Sequence, residues 1–281
     1  MRISSSPPCQ NDPPSVFAVP LDVLKERLEG LYRRYDDRRL VSPDPLQYLY
    51  RYRRVADREV AGLVASCLAY GRVDTICASV EKVLTIMGVS PARFAASASG
   101  TQLRRSLSGF RHRMTSGDDV AGLISAAGAL LREFGSLNNC FLRGLSRRDE
   151  TVEGAICEFS AMLAGRRGCP ECFLVPSPSG GSACKRLNLY LRWMVRRDRV
   201  DPGGWKGVSP AKLIVPLDTH MFRIGCLLGL TGRAQADMKA ALEITAGFRR
   251  IAPEDPVRYD FALAHTGMRG DGSLQELIKD Y

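Results

Sequence analysis

No apolar run in the 281-residue chain reaches the roughly 20 residues that would cross a bilayer as a helix, so a soluble protein without a membrane partner is expected. Strand-like alternation of apolar and polar residues is nowhere sustained, which argues against a fold built mainly on sheets. The start, Met1-Arg2-Ile3-Ser4-Ser5-Ser6, lacks the apolar stretch of a secretory leader. The nine cysteines are scattered, mostly within apolar helical patterns, and read as reduced thiols of a cytoplasmic protein. Only Cys169-Pro170-Glu171-Cys172 has ligand-like spacing, flanked by Cys157 and Cys184. A four-cysteine zinc site is the alternative there, but Cys157 and Cys184 fall on apolar helix stripes, and no metal is expected. After Asp218 only Cys226 remains, which excludes a four-cysteine iron–sulfur loop in that region.

What is present is an ordinary globular composition, 45% hydrophobic and 25% charged, which excludes wholesale disorder. The length suits one large domain or two helical subdomains wrapped on each other. Lys and Arg number 40 against 30 Asp and Glu, a net charge of +10, and that balance favours a polyanionic partner.

Residues 1–16, rich in Ser, Pro and Asn, read as a disordered lead-in. Helical periodicity follows. Leu21, Leu24, Leu28 and Leu31 share one face, and Pro43-Asp44-Pro45 breaks the chain before Leu46, Leu49 and Tyr50. Asp57 is positioned to cap a helix carrying Val60, Leu63, Val64, Cys67 and Leu68, and Asp74 another through Ile76, Val80, Val83 and Leu84. Asp118 or Asp119 opens a helix through Val120, Leu123 and Leu130. Asp149 to Leu163 forms one with Val152, Ile156, Phe159 and Met162 on a face. The expected fold class is all-α.

A turn-rich stretch, Val175-Pro176-Ser177-Pro178-Ser179-Gly180-Gly181, delivers the chain to Ser182, the expected N-cap of a helix beginning near Lys185. Leu187, Tyr190, Leu191, Met194 and Val195 form its apolar stripe, whereas Lys185, Asn188, Arg192, Arg196 and Arg199 fall on the other side. Six basic residues lie between Ser182 and Arg199 against the single acid Asp198, so this face is expected to neutralise phosphates. A second basic run, Arg33 to Arg58, reads as a solvated face. Further on, Pro216-Leu217-Asp218-Thr219-His220 reads as an extended approach, an aspartate N-cap and a helix ending at Gly229. Asp255-Pro256 opens a last helix, Val257 to Gly267, that carries Arg258, Asp260 and His265.

A lysine amine can attack C1′ of a nucleotide and hold the sugar as a Schiff base, and a carboxylate can steady the positive charge that develops on the ring. Leu217-Asp218-Thr219-His220-Met221-Phe222-Arg223-Ile224 resembles the Val-Asp-Thr-His-x-x-Arg-Val stretch of the helix-hairpin-helix DNA glycosylase superfamily. Lys185-Arg186-Leu187-Asn188 resembles that superfamily's catalytic-lysine helix. The resemblance spans roughly residues 55–268 and is motif-specific between 180 and 260. It departs at the hairpin, where Val175 to Gly181 replaces the usual Leu-Pro-Gly-x-Gly. The separation of Lys185 and Asp218 is also long, a feature found in the archaeal 8-oxoguanine glycosylase branch, and the chain also looks like an uncharacterised bacterial group related to it.

The resemblance implies two helical subdomains with a cleft between them, one formed by 17–60 and 206–281 and the other by 61–205. It implies Lys185 as nucleophile and Asp218 as catalytic carboxylate, in a bifunctional glycosylase and abasic-site lyase that removes an oxidised base, 8-oxoguanine above all. Asp260 matches the carboxylate that the archaeal branch turns toward the flipped base. Trp193, Trp205 and Tyr70 are candidates to stack on or wedge into the duplex. Gly180, Gly181, Ser182, Arg192, Arg196, His220 and Arg223 are expected along the DNA backbone, His220 and Arg223 mainly as structural or orienting groups. No metal or organic cofactor is expected. The expected partner is double-stranded damaged DNA, bound by a nucleoid-associated monomer. The alternatives on the same residues are a non-catalytic DNA- or RNA-binding module that keeps the fold, and a Schiff-base enzyme acting on a small carbonyl metabolite.

Overall fold

A computed structural model describes residues 19–167 and 173–269, and over these the chain is mostly helical. The lead-in 1–16, Cys169 and Cys172 lie outside the described residues. In chain order the elements are α1 (Leu21–Tyr35), α2 (Val55–Cys67), α3 (Val73–Met87), α4 (Pro91–Ser97) and α5 (Gly100–Ser106). A two-residue hairpin, β1 (Arg111–His112) with β2 (Thr115–Ser116), leads to α6 (Gly117–Phe134), α7 (Leu137–Leu142) and α8 (Glu153–Arg167). The remainder is α9 (Lys185–Val195), α10 (Thr219–Leu227), α11 (Met238–Ile251) and α12 (Asp260–Arg269).

The apolar periodicities bury as expected. Leu24, Leu28 and Leu31 of α1 are inside, and Val60, Leu63, Val64, Cys67 and Leu68 are at most 1% exposed. Helix α2 is the hub, touching the 3-10 segment Pro45–Arg51 and α3, α4, α6, α7 and α9. Close crossings fix the angle of the bundle. A Cβ on Gly128 of α6 would sit 1.9 Å from the Ala95 carbonyl oxygen of α4, so only glycine permits that approach. Helix α1 packs on α12, and α10 on α11 and α12, so the two ends of the described chain meet. The expected boundary near residue 60 falls inside α2, and a break there would split a continuous buried helix.

Several helix starts differ from the sequence reading, for Asp57 and Asp255 because the acidic side chain serves another element. Asp57 lies in the first turn of α2, 4% exposed, and accepts from Ser90 Oγ (2.7 Å) and the Ala92 amide (3.1 Å), capping α4 from outside. Helix α3 begins at Val73 with Asp74 in its first turn, and α6 is capped by Ser116, which closes a capping box with Asp119. Asp149 accepts from the Ser146 amide in the preceding turn, so α8 begins only at Glu153. Asp255 is drawn to Arg196, and the last helix starts at Asp260 rather than Val257. Glu59, fully buried, takes the amides of Leu137 (3.2 Å) and Asn138 (2.9 Å) and thereby caps α7 across the bundle. Burial raises its carboxyl, against the pull of those two amides.

Candidate functional site

Lys185 is the first residue of α9 and Asp218 the N-cap of α10, and the fold brings Lys185 Nζ to 2.9 Å from Asp218 Oδ2. The two carboxylate oxygens divide the work. Oδ1 accepts the Met221 amide (2.9 Å) and closes the first turn of α10, leaving Oδ2 for the lysine. Burial raises the Asp218 carboxyl, but the Lys185 ammonium, the Met221 amide and nearby His220 outweigh it and hold the group below its usual value. It is an anion at neutral pH. Both side chains stay accessible, Lys185 at 35% and Asp218 at 40%.

Lys185 enters its helix through an unusual backbone. The N-cap is Cys184 with φ 47°, in the left-handed region that non-glycine residues rarely adopt, and not the expected Ser182. Ser182 Oγ instead accepts the Cys184 amide (3.2 Å). The Cys184 thiol is buried near the Pro176 carbonyl oxygen (3.3 Å), and burial pushes it up to about 12, so it is an inert packing group beside the lysine.

The pair sits in the wall of a pocket of about 260 Å³. Helix α9 supplies Lys185, Leu189, Arg192 and Trp193, an i, i+4, i+7, i+8 set, and α12 supplies Asp260, Phe261, Ala264 and His265. Pro216, Asp218, His220 and Met221 come from the approach to α10 and its first turn, Ala69 and Gly71 from the turn after α2, Val73 and Ile76 from α3, and Asp44 and Pro45 from the start of the 3-10 segment Pro45–Arg51. The sequence reading missed the contributions of Asp44, Gly71, Phe261 and His265. Asp44 had a signal, since it stands between two prolines, but that signal reads as a chain break and not as a wall.

The remaining candidates divide sharply. Arg192 and Arg196, expected on DNA, are both 3% exposed, and this expectation is corrected. Arg192 Nε donates to Asp201 Oδ1 (3.2 Å) and its Nη1 to Asp260. Arg196 pairs with Asp201, with Asp198 Oδ2 (2.7 Å) and with Asp255 Oδ2 (2.9 Å). Buried guanidinium groups need such partners, and the four aspartates supply them. Asn188, placed on the same polar face, is also buried and donates to the Ala183 carbonyl oxygen (3.0 Å). Arg199 lies beyond the end of α9 and is exposed, as is Arg223.

Trp205 is no stacking residue. It lies 6% exposed in a core cluster with Phe141 (5.4 Å between centroids) and Tyr190 (5.2 Å). Trp193 is 1% exposed but belongs to the pocket lining, and its indole nitrogen is buried without an acceptor among the described residues. Tyr70 packs between His112 (4.6 Å) and Phe173 (5.2 Å), with the Arg186 guanidinium 5.3 Å from its ring. Its hydroxyl donates to the His112 carbonyl oxygen (2.8 Å) and so braces the small hairpin. His220 lines the pocket and its Nε2 lies 3.4 Å from the Leu263 carbonyl oxygen, tying α10 to α12. Asp260 also lines the pocket, with its carboxylate on Arg192; burial raises it, against the pull of that arginine.

Gly180 and Gly181 are exposed, but their amides are used within the turn, on the carbonyl oxygens of Ser177 (3.2 Å) and Pro178 (2.8 Å). Phosphate contact through those two amides is therefore not on offer in this conformation. Among the described residues no group of three or more His, Cys, Asp or Glu side chains is placed to hold a metal ion, and no helix is long and apolar enough to cross a membrane.

The fold and site thus define a helical protein with one lysine–aspartate pair set in the wall of a pocket. Residues 44–269 match a family described as a protein of unknown function (DUF2400), and the chain belongs to that family. The matched span opens at Asp44 and takes in every residue of the pocket lining. No curated protein and no solved structure matches the chain.

Proposed function

We propose that the chain is a base-excision DNA glycosylase with abasic-site lyase activity, of the helix-hairpin-helix kind, acting on an oxidised purine such as 8-oxoguanine. One observation carries the reading: the Lys185 amine and the Asp218 carboxylate, each within a motif resembling that superfamily, meet at 2.9 Å in the wall of a pocket. Glycosidic bond cleavage makes the sugar ring positive, and an anion fixed beforehand by a helix N-terminus stabilises that charge without reorganising. Lys185 in its unprotonated form attacks C1′ as the bond to the base breaks, and the base leaves with the bonding pair and takes up a proton. Ring opening gives a protonated imine. Loss of a C2′ proton then expels the 3′ phosphate, and water releases the sugar from the lysine.

The net charge of +10 and the exposed Arg72, Arg113, Arg199 and Arg223 suit a polyanionic partner. The test is borohydride added during incubation with duplexes carrying 8-oxoguanine or an abasic site. A covalent protein–DNA adduct that disappears in Lys185→Gln is the expected result. A panel of oxidised, deaminated and abasic duplexes giving neither adduct nor strand cleavage overturns the proposal.

A further inference from the structure

The pocket holds three carboxylates, and two of them are already committed. Asp218 divides its oxygens between the Met221 amide and Lys185, and Asp260 is paired with Arg192. The third is Asp44, which no motif singles out. It lies half-buried between Pro43 and Pro45, with Oδ1 accepting the Leu46 amide at 2.7 Å as the N-cap of the segment Pro45–Arg51. That bond fixes the carboxylate, and a carboxylate offers about four acceptor positions, so capping one amide leaves acceptor capacity for a ligand. A carboxylate donates nothing when ionised, and it therefore selects a ligand edge made of N–H groups.

A second observation points to the complementary group. Trp193, in the same lining, buries its indole N–H with no acceptor among the described residues. A buried donor without a partner is disfavoured, and a ligand carbonyl oxygen that reaches it through a small shift of the pocket wall would satisfy it. Donors toward Asp44 and an acceptor toward Trp193 describe a keto-amino purine. Guanine-type bases carry adjacent N1–H and 2-amino donors together with ring carbonyls, and a pocket of about 260 Å³ holds one such base.

Resting on the glycosylase reading above, we propose that Asp44 is the specificity-determining residue of the pocket, accepting the N1–H and 2-amino hydrogens of a flipped guanine-type base. Asp260 then serves to orient Arg192. The chemistry of Lys185 and Asp218 does not involve Asp44, and the two are separable by experiment.

The probes are three duplexes, bearing 8-oxoguanine, 8-oxohypoxanthine (the same base without its 2-amino group) and a preformed abasic site. Wild-type protein should release 8-oxoguanine about ten-fold or more faster than 8-oxohypoxanthine, the size of one hydrogen bond to a charged acceptor. Asp44→Asn should lower 8-oxoguanine release by about ten-fold or more, lower 8-oxohypoxanthine release by less, so that the preference shrinks, and leave abasic-site cleavage within about two-fold. Asn and Ser both keep an N-cap oxygen, and Asp44→Ser repeats the measurement should the Asn variant fold poorly. If both folded variants keep the wild-type preference while abasic DNA is cleaved normally, the Asp44 assignment falls and the glycosylase reading stands. If wild-type protein neither cleaves nor traps any of the three duplexes, both fall together.

Discussion

Helix α9 and its C-cap carry two kinds of ion pair within about three turns, and they differ in what they can do. At its N-terminus Lys185 meets a single carboxylate, and both partners keep more than a third of their side-chain surface open. Near its C-terminus Arg192 and Arg196 are shut in with Asp198, Asp201, Asp255 and Asp260, and Asp201 is fully buried. The enclosed network balances its own charge. Each guanidinium reaches two or three carboxylates, and both arginines are almost wholly buried. The open pair is held from one side only, since Asp218 Oδ1 belongs to α10 and Oδ2 to the lysine. A basic face read from sequence as a DNA contact is therefore two things, a reactive end and a structural clamp tying α9 to the Asp198–Asp201 loop and to α12.

The largest expected effect breaks the clamp. Arg196→Ala would leave Asp198, Asp201 and Asp255 facing one another with no shared cation, and removal of one partner from such a buried set costs about 3–5 kcal/mol. Urea unfolding should show this loss. The corresponding change at the open pair, Lys185→Gln, should shift stability by less than about 1 kcal/mol, because solvent screens that bond. Equal losses at the two sites would erase the distinction.

Next in size is the chemical effect at the open pair. Asp218→Asn keeps an oxygen for the Met221 amide and should fold normally, while base release slows by about 10²-fold or more, the order lost with one charge-stabilising group. Single-turnover excision on an 8-oxoguanine duplex checks it. Wild-type rates in a well-folded variant would reduce the pair to a brace between α9 and α10.

The smallest expected effect concerns pH. The folded-state carboxyl of Asp218 lies below its unfolded value of about 3.9, so its contribution to stability is present above that pH and is lost as pH falls through the folded value. The small difference in melting temperature between wild type and Asp218→Asn at neutral pH should persist down to about pH 3.9 and shrink as the pH falls further, through the folded value. A gap that widens on acidification would mean that the carboxyl is not held down by Lys185.

Much of the helical framework was legible because burial follows periodicity: the stripes on α1, α2, α8 and α9 all face inward. Helix starts were less so. Asp57, Asp149 and Asp255 each sit where a cap is plausible by local chemistry, but an aspartate bonds the nearest competent donor in space, and for Asp57 and Asp255 that donor belongs to another element. The site pair was legible through two local motifs, yet the pocket around it was not, since its walls come from five separate stretches of chain.

The sequence by itself determined the helical class, the apolar faces, the Asp218 cap and the chemistry available to Lys185, because each depends on residues a few positions apart. Only the tertiary structure decided that Arg192 and Arg196 turn inward and that Asp44 joins the pocket wall. Charge placement of that kind depends on which carboxylates arrive from distant segments, and a buried arginine is tolerated only where they do. Local spacing cannot encode that arrival; the packing of α1, α9 and α12 does.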